Sequence, residues 1–171
     1  MKTRGFTLIE ILVVLVIIAI IIAVTVISFG DMGRGRREHM AVQQFARVLN
    51  AAQQQAILTP AILGLGFHSE GYQFYQYQPP IQSRAGIWKP LQNDVLSNAN
   101  AFRDLLTARL TNVSDYTETI QSHASHPVII FGSGGSVTPF VLTLQGEKLL
   151  YTISVQNNGV VTVTQRALSH D

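Results

Sequence analysis

Cysteine is absent from the 171 residues, which excludes disulfide bonds, thiol catalysis and cysteine metal sites while leaving the compartment undecided. Charge is missing where it would be hardest to accommodate, since Ile11 to Gly30 carries none. Acids are also scarce towards the C-terminus. Only Glu147 and Asp171 follow Glu118, too few for an oxygen-rich calcium cage at that end. His123 and His126 have neither a cysteine nor a nearby acid to complete a metal shell, and they read as exposed loop residues. Gly132-Ser133-Gly134-Gly135-Ser136 lacks the Gly-Lys-Ser/Thr ending of a phosphate loop, so it reads as a flexible turn between strands. No spacing of serines, histidines and acids argues for a triad. The expectation is a non-enzymatic chain with no catalytic residues, no cofactor and no metal.

Against these absences one acid stands out. Glu10 lies at the start of an apolar run, five positions after Gly5, in Gly5-Phe6-Thr7-Leu8-Ile9-Glu10. As a helix rising about 1.5 Å per residue, the 20 residues from Ile11 to Gly30 reach roughly 30 Å, the thickness of a bilayer hydrocarbon core. The acid therefore enters lipid with the helix. A charged side chain at the centre of an inserted helix costs about 2.5 to 3.5 kcal/mol, and less towards its end, so an intramembrane carboxylate needs a function and a partner. An ordinary secretory signal also has a basic start and an apolar core, and Ser28-Phe29-Gly30 passes loosely as its cleavage site. Such a core is usually about 7 to 15 residues long, shorter than this run, and Glu10 would interrupt it. A plain membrane anchor explains the length but not the acid.

Lys2 and Arg4 form a short basic leader, Gly5 is a small residue ahead of the run, and Phe6 to Glu10 read Phe-Thr-Leu-Ile-Glu. This N-terminus resembles the class III signal of type IV pilin-like proteins. The resemblance implies that a prepilin peptidase cuts after Gly5 and N-methylates Phe6, and that Glu10 pairs with the N-terminal ammonium of a neighbouring subunit during assembly. Opposite charges about 4 Å apart attract by about 4 kcal/mol at an effective dielectric near 20, comparable with the insertion cost. Losing Lys2 and Arg4 takes two from the 12 basic side chains and leaves them equal to the 10 acids. The pI near 9.2 is thus no argument for a nucleic-acid partner. Arg34, Arg36 and Arg37 follow the run as Lys2 and Arg4 precede it, so the positive-inside count does not orient the helix. The resemblance does, placing residues after 30 outside the cytoplasm. The arginine cluster reads equally well as solvated or as meeting lipid headgroups or a neighbour's Asp31 or Glu38.

Helical periodicity resumes after the apolar run. Ala41, Phe45, Val48, Leu49, Ala52 and Ala56 keep three- and four-residue spacing, and Pro60 ends the pattern. One helix over 6–59 is expected, about 80 Å long, interrupted by a hinge or melted segment where Gly30, Gly33 and Gly35 cluster at a cost of about 1 kcal/mol each. From Pro60 onward the chain reads as short strands. Ala61 to Phe67 and Gly71 to Gln78 predict a hairpin. Val128 to Phe131, Thr138 to Gln145, Lys148 to Val155 and Val160 to Gln165 predict a meander, with turns at Gln145-Gly146-Glu147 and at Asn158-Gly159, the latter a type I′ signal. Ser97 to Leu110 is compatible with a short helix. Tyr75 and Tyr77 share one face of their strand and Phe74 the other, so one set is expected in the core and the other exposed. With Tyr72 and Trp88, Tyr75 and Tyr77 are candidates for an interaction face.

The order of these pieces is similar to the H-type minor pseudopilin domain of type II secretion, which also occurs in some minor pilins. Carrying that likeness are Ala61 to Phe67, Gly71-Tyr72, Trp88 with Pro90-Leu91, Val128 to Phe131 followed by Gly134, Thr138-Pro139-Phe140 and Gly159-Val160-Val161; Asn93 to His126 matches nothing. The resemblance implies an α+β fold of the type IV pilin kind, a long transmembrane and amphipathic helix packed on an antiparallel two-sheet head. The expected division is a cleaved leader at 1–5, a transmembrane helix at 6–30, its amphipathic continuation at 31–59 and a periplasmic β-rich head at 60–171. It also implies a structural role in the tip complex of a pseudopilus that supports export of folded proteins. Other major and minor pseudopilins, the prepilin peptidase, the inner-membrane assembly platform and the lipid bilayer are the implied partners, with a single pass through the bacterial inner membrane. The alternative is a minor pilin of a type IV pilus serving DNA uptake. Six basic residues against seven acids from Pro60 onward disfavour nucleic acid.

Overall fold

A computed structural model of the chain describes residues 8–68, 70–80, 86–92, 95–112, 117–118 and 127–168, with the backbone alone described over 24–32, at 112 and over 117–118. Helix α1 runs from Leu8 to Leu58 without a break, 51 residues or about 77 Å. The interruption expected at Gly30, Gly33 and Gly35 is not there. Glycine weakens a helix through backbone entropy but keeps its N–H and C=O, so the ladder continues. Local side-chain bonds also support this stretch: Arg37 Nε donates to the Gly33 carbonyl at 3.3 Å. At the far end the Thr59 hydroxyl donates to the Gln55 carbonyl at 2.7 Å, and Pro60 stops the helix.

Among the described residues nine strands follow: β1 (Leu63–His68), β2 (Gly71–Gln78), β3 (Ile87–Pro90), β4 (Thr107–Asn112), β5 (Thr117–Glu118), β6 (Ile129–Phe131), β7 (Phe140–Gln145), β8 (Leu149–Val155) and β9 (Val161–Ala167). They form two sheets, in the orders β3-β2-β1-β6 and β5-β4-β7-β8-β9. All pairs are antiparallel. The expected hairpin is present, with His68 opposite Gly71. β7, β8 and β9 form the expected meander, but β6 does not join it. Leu63 faces Phe131 and Leu65 faces Ile129, so β6 closes the first sheet instead. The Gly132–Ser136 segment makes the crossing as a turn, with Gly135 N–H donating to the Gly132 carbonyl at 3.0 Å.

Two further expectations are corrected. The segment read as a short helix is a turn followed by β4, and its burial alternates with period two through Leu106, Ala108 and Leu110. That alternation outweighs the four- and three-residue spacing of Ala101, Leu105 and Ala108. The β8–β9 connection is not type I′, because Gly159 is at φ 80° while Asn158 is not in the left-handed region. Gly159 N–H donates to the Gln156 carbonyl and Gln156 N–H to the Val160 carbonyl, so the loop is a turn closed by a left-handed glycine.

The helix seats its C-terminal half between the sheets. Phe45 is fully buried, its ring 4.6 Å from that of Tyr72, 5.5 Å from Phe102 and 6.0 Å from Phe67. Phe67 in turn meets Phe140 at 6.4 Å, joining the two sheets. Ala52 and Ala56, both fully buried, let the backbone come close to the strands. This is one core, built from the stripe Val42, Phe45, Val48, Leu49, Ala52 and Ala56 and the inner faces of both sheets.

Candidate functional site

Gly5 and Phe6 lie outside the described residues. Glu10 lies in the first turn of α1, its side chain exposed beside Ile11, Val14 and Leu15. Around it stands an uncovered apolar surface. The large aliphatic side chains from Leu8 to Ile22 are between 46% exposed at Ile18 and 84% at Leu8. Among the described residues no strand covers this half of the helix, so its surface is left for lipid or other chains. Among the described residues no helix is long and apolar enough to cross a membrane, the side chains of 24–32 falling outside that description.

Where the head meets the helix, a charged joint forms. Glu38 is 1% exposed, yet it sits among partners. Arg34, one turn earlier, places Nε 3.6 Å from Glu38 Oε1 and 3.3 Å from Glu147 Oε2, while its Nη2 donates to the Asp104 carbonyl at 3.1 Å. The Glu147 backbone N–H donates to Glu38 Oε1 at 3.3 Å. Asp104 holds its carbonyl there from a left-handed conformation at φ 57°. Gly146 lies directly under the Glu38 carboxylate, where a Cβ would overlap it. A buried carboxylate is tolerable only when paired and hydrogen-bonded, and this one is both. The joint therefore fixes the helix against the β7–β8 turn. Of the alternatives considered for the arginine cluster, Arg34 takes neither a neighbour nor lipid but its own chain. The signal for it was the i,i+4 spacing of Arg34 and Glu38.

The tyrosines divide differently from the strand alternation. Phe74 and Tyr75 are both buried, and Tyr77 is half-buried with its ring 5.2 Å from Trp88. No wholly exposed aromatic face exists on β2, because β3 and the segments after it cover the second side. Burial pushes the Tyr72 hydroxyl up to about 12 and raises that of Tyr75. Tyr151 is raised by burial first and then by the nearby Glu38 charge. Its hydroxyl is buried with no hydrogen-bond partner among the described residues, and its ring stands 6.4 Å from that of His39. Both belong to the wall of a cleft of about 270 Å³ between α1 and β9, which also includes Gln43, Val163 and Gln165. Sequence reasoning gave Tyr151 no role, since nothing in a strand pattern distinguishes it from other core positions.

Among the described residues no cluster of three histidines or acids is placed to hold a metal. His123 and His126 lie outside them.

Comparison with known proteins matches residues 41–159 to the family described as Type II transport protein GspH, and residues 1–26 to the prokaryotic N-terminal methylation motif. Type II secretion system protein H of Aeromonas hydrophila is 26% identical over 166 residues, covering 91% of this chain and 88% of the relative. The crystal structure of the minor pseudopilin EpsH from the type II secretion system of Vibrio cholerae superposes with a TM-score of 0.58 at 20% identity, covering 81% of this chain and 99% of that one. The solution structure of Escherichia coli GspH gives 0.52 at 18% identity, with 73% and 88% covered. The helix-plus-two-sheet fold is thus that of the minor pseudopilins.

Proposed function

Because this chain belongs to the GspH family of type II transport proteins, we propose that it is a minor pseudopilin, a structural and non-catalytic subunit of the type II secretion pseudopilus. The observation that carries the reading is the division of one helix. Its C-terminal half is buried in a family-type head, and its N-terminal half exposes an aliphatic surface that begins with Glu10. The methylation motif lies on that same half. The names of the relatives favour secretion over the type IV pilus alternative.

In this reading the prepilin peptidase cleaves after Gly5 and methylates Phe6, which removes Lys2 and Arg4 and creates an ammonium. The helix remains as a single pass in the bacterial inner membrane, with the head in the periplasm. On contact with the assembly platform and other pseudopilins, major and minor, the helix stacks among theirs. Glu10 then pairs with a neighbour's terminal ammonium and sets the axial register, offsetting the cost of an acid in lipid. N-terminal sequencing of the membrane-bound protein should find methylated Phe6 first; a start at Asp31 would refute the processing. Glu10→Ala should be inserted and cleaved normally yet cross-link poorly to the major subunit and lower secretion. Normal cross-linking and secretion by that variant would remove the role assigned to Glu10.

A further inference from the structure

The edge formed by β9 differs from the other sheet edges. β3, at the edge of the four-stranded sheet, carries Lys89 and Pro90, and β5 and β6 are two and three residues long. Charge, proline and shortness are the usual means of blunting an edge. β9 has seven residues, Val-Thr-Val-Thr-Gln-Arg-Ala, with one charge and no proline, and it pairs with β8 without a bulge from Val161 to Ala167. Among the described residues no strand pairs with its outer side.

The ladder fixes which groups face outward. Leu168 N–H donates to the Lys148 carbonyl at 2.9 Å and Gln156 N–H to the Val160 carbonyl at 3.1 Å. Antiparallel bonding alternates, so Thr162, Thr164 and Arg166 turn their N–H and C=O groups to β8, and Val161, Val163, Gln165 and Ala167 turn theirs away from it. The side chains of this second set lie on the inner face, Gln165 opposite Tyr151 and Val163 opposite Ile153. Beneath them is the cleft against His39 and Gln43, with Tyr151 in its wall. An open edge of this length is a ready template for a further strand, and here it borders a cleft.

We propose that β9 and the cleft beneath it are a docking surface for an extended segment of a neighbouring pseudopilin, which adds as a further strand along Val161–Ala167 and lays a side chain over the cleft. Main-chain bonds to Val163 and Gln165 give the segment its register. A carboxylate is disfavoured there, because it would meet the field of Glu38, which reaches Tyr151. A helix laid in the cleft would cover Val163 but leave the edge amides unpaired. The proposal rests on the pseudopilin reading above.

The test uses the full-length chain co-expressed with the affinity-tagged pseudopilins of the same secretion system and purified from membranes. Val163→Pro deletes an outward N–H that takes no part in the β8 ladder, so the head should melt as wild type while capture falls about tenfold or more. In the wild-type complex, hydrogen exchange at Val163 and Gln165 should slow. Equal capture by a folded Val163→Pro, or protection of the cleft without these amides, overturns the strand-addition proposal alone. Should Val163→Pro fail to fold, the exchange pattern of the wild-type complex decides by itself. If the wild-type chain captures no pseudopilin, the proposal falls together with the reading it rests on.

Discussion

Glu10 and Glu38 are carboxylates on one helix, and their surroundings assign them opposite tasks. Glu38 is 1% exposed and held by Arg34 and a backbone N–H, all within the chain. Glu10 is exposed on an aliphatic surface, and among the described residues it makes no ion pair. The first is a fixed joint, whereas the second finds no charged partner among the described residues. Removing one member of a buried pair leaves the other uncompensated. Arg34→Ala should therefore destabilise the head by about 2 kcal/mol, short of the full cost for a buried pair because Arg34 is half-exposed. Urea titration of the detergent-solubilised protein would measure it, and Arg34→Met with Glu38→Met should recover most of the loss. A fixed cost was legible from the residue types, but the identity of the partner was not. Arg34 reaches Glu147 and Asp104 from positions far along the chain, which no local spacing records.

At the scale of elements, α1 shows how a local penalty is absorbed. Its glycines between the apolar run and the head were expected to break it, yet a helix loses only about 1 kcal/mol at each and keeps every hydrogen bond. A Cβ added at Gly33 or Gly35 meets nothing within 4 Å. Gly33→Ala and Gly35→Ala should each stabilise the chain by about 0.5 to 1 kcal/mol, seen as a higher melting temperature by circular dichroism. A fall would mean that the chain does bend there. Strand β4 carries the opposite lesson, because its period-two burial at Leu106, Ala108 and Leu110 was present in the sequence beside a competing helical spacing. Which one prevailed depended on β7, whose Leu142 and Leu144 lie opposite Leu110 and Ala108.

The whole molecule is a head that carries half a helix without using it. The charged joint begins at Arg34, and the side chains of Leu8 to Ala23 are exposed. A chain starting at Asp31 should consequently fold with a melting temperature within about 5 °C of the full-length protein's head transition, with one cooperative unfolding step by calorimetry. Loss of that transition would show that the apolar half supports the head. By itself the sequence determined the long helix, the β1–β2 hairpin, the β7–β8–β9 meander and the N-terminal motif, because periodicity, turn residues and the absence of charge act between neighbours in the chain. Tertiary structure alone decided that β6 pairs with β1, that Tyr75 is buried as well as Phe74, that Arg34 reaches Glu147, and that Tyr151 lines a cleft below an open strand edge. Each of these brings together residues distant in sequence, and their pairing is set by how two sheets close around one helix.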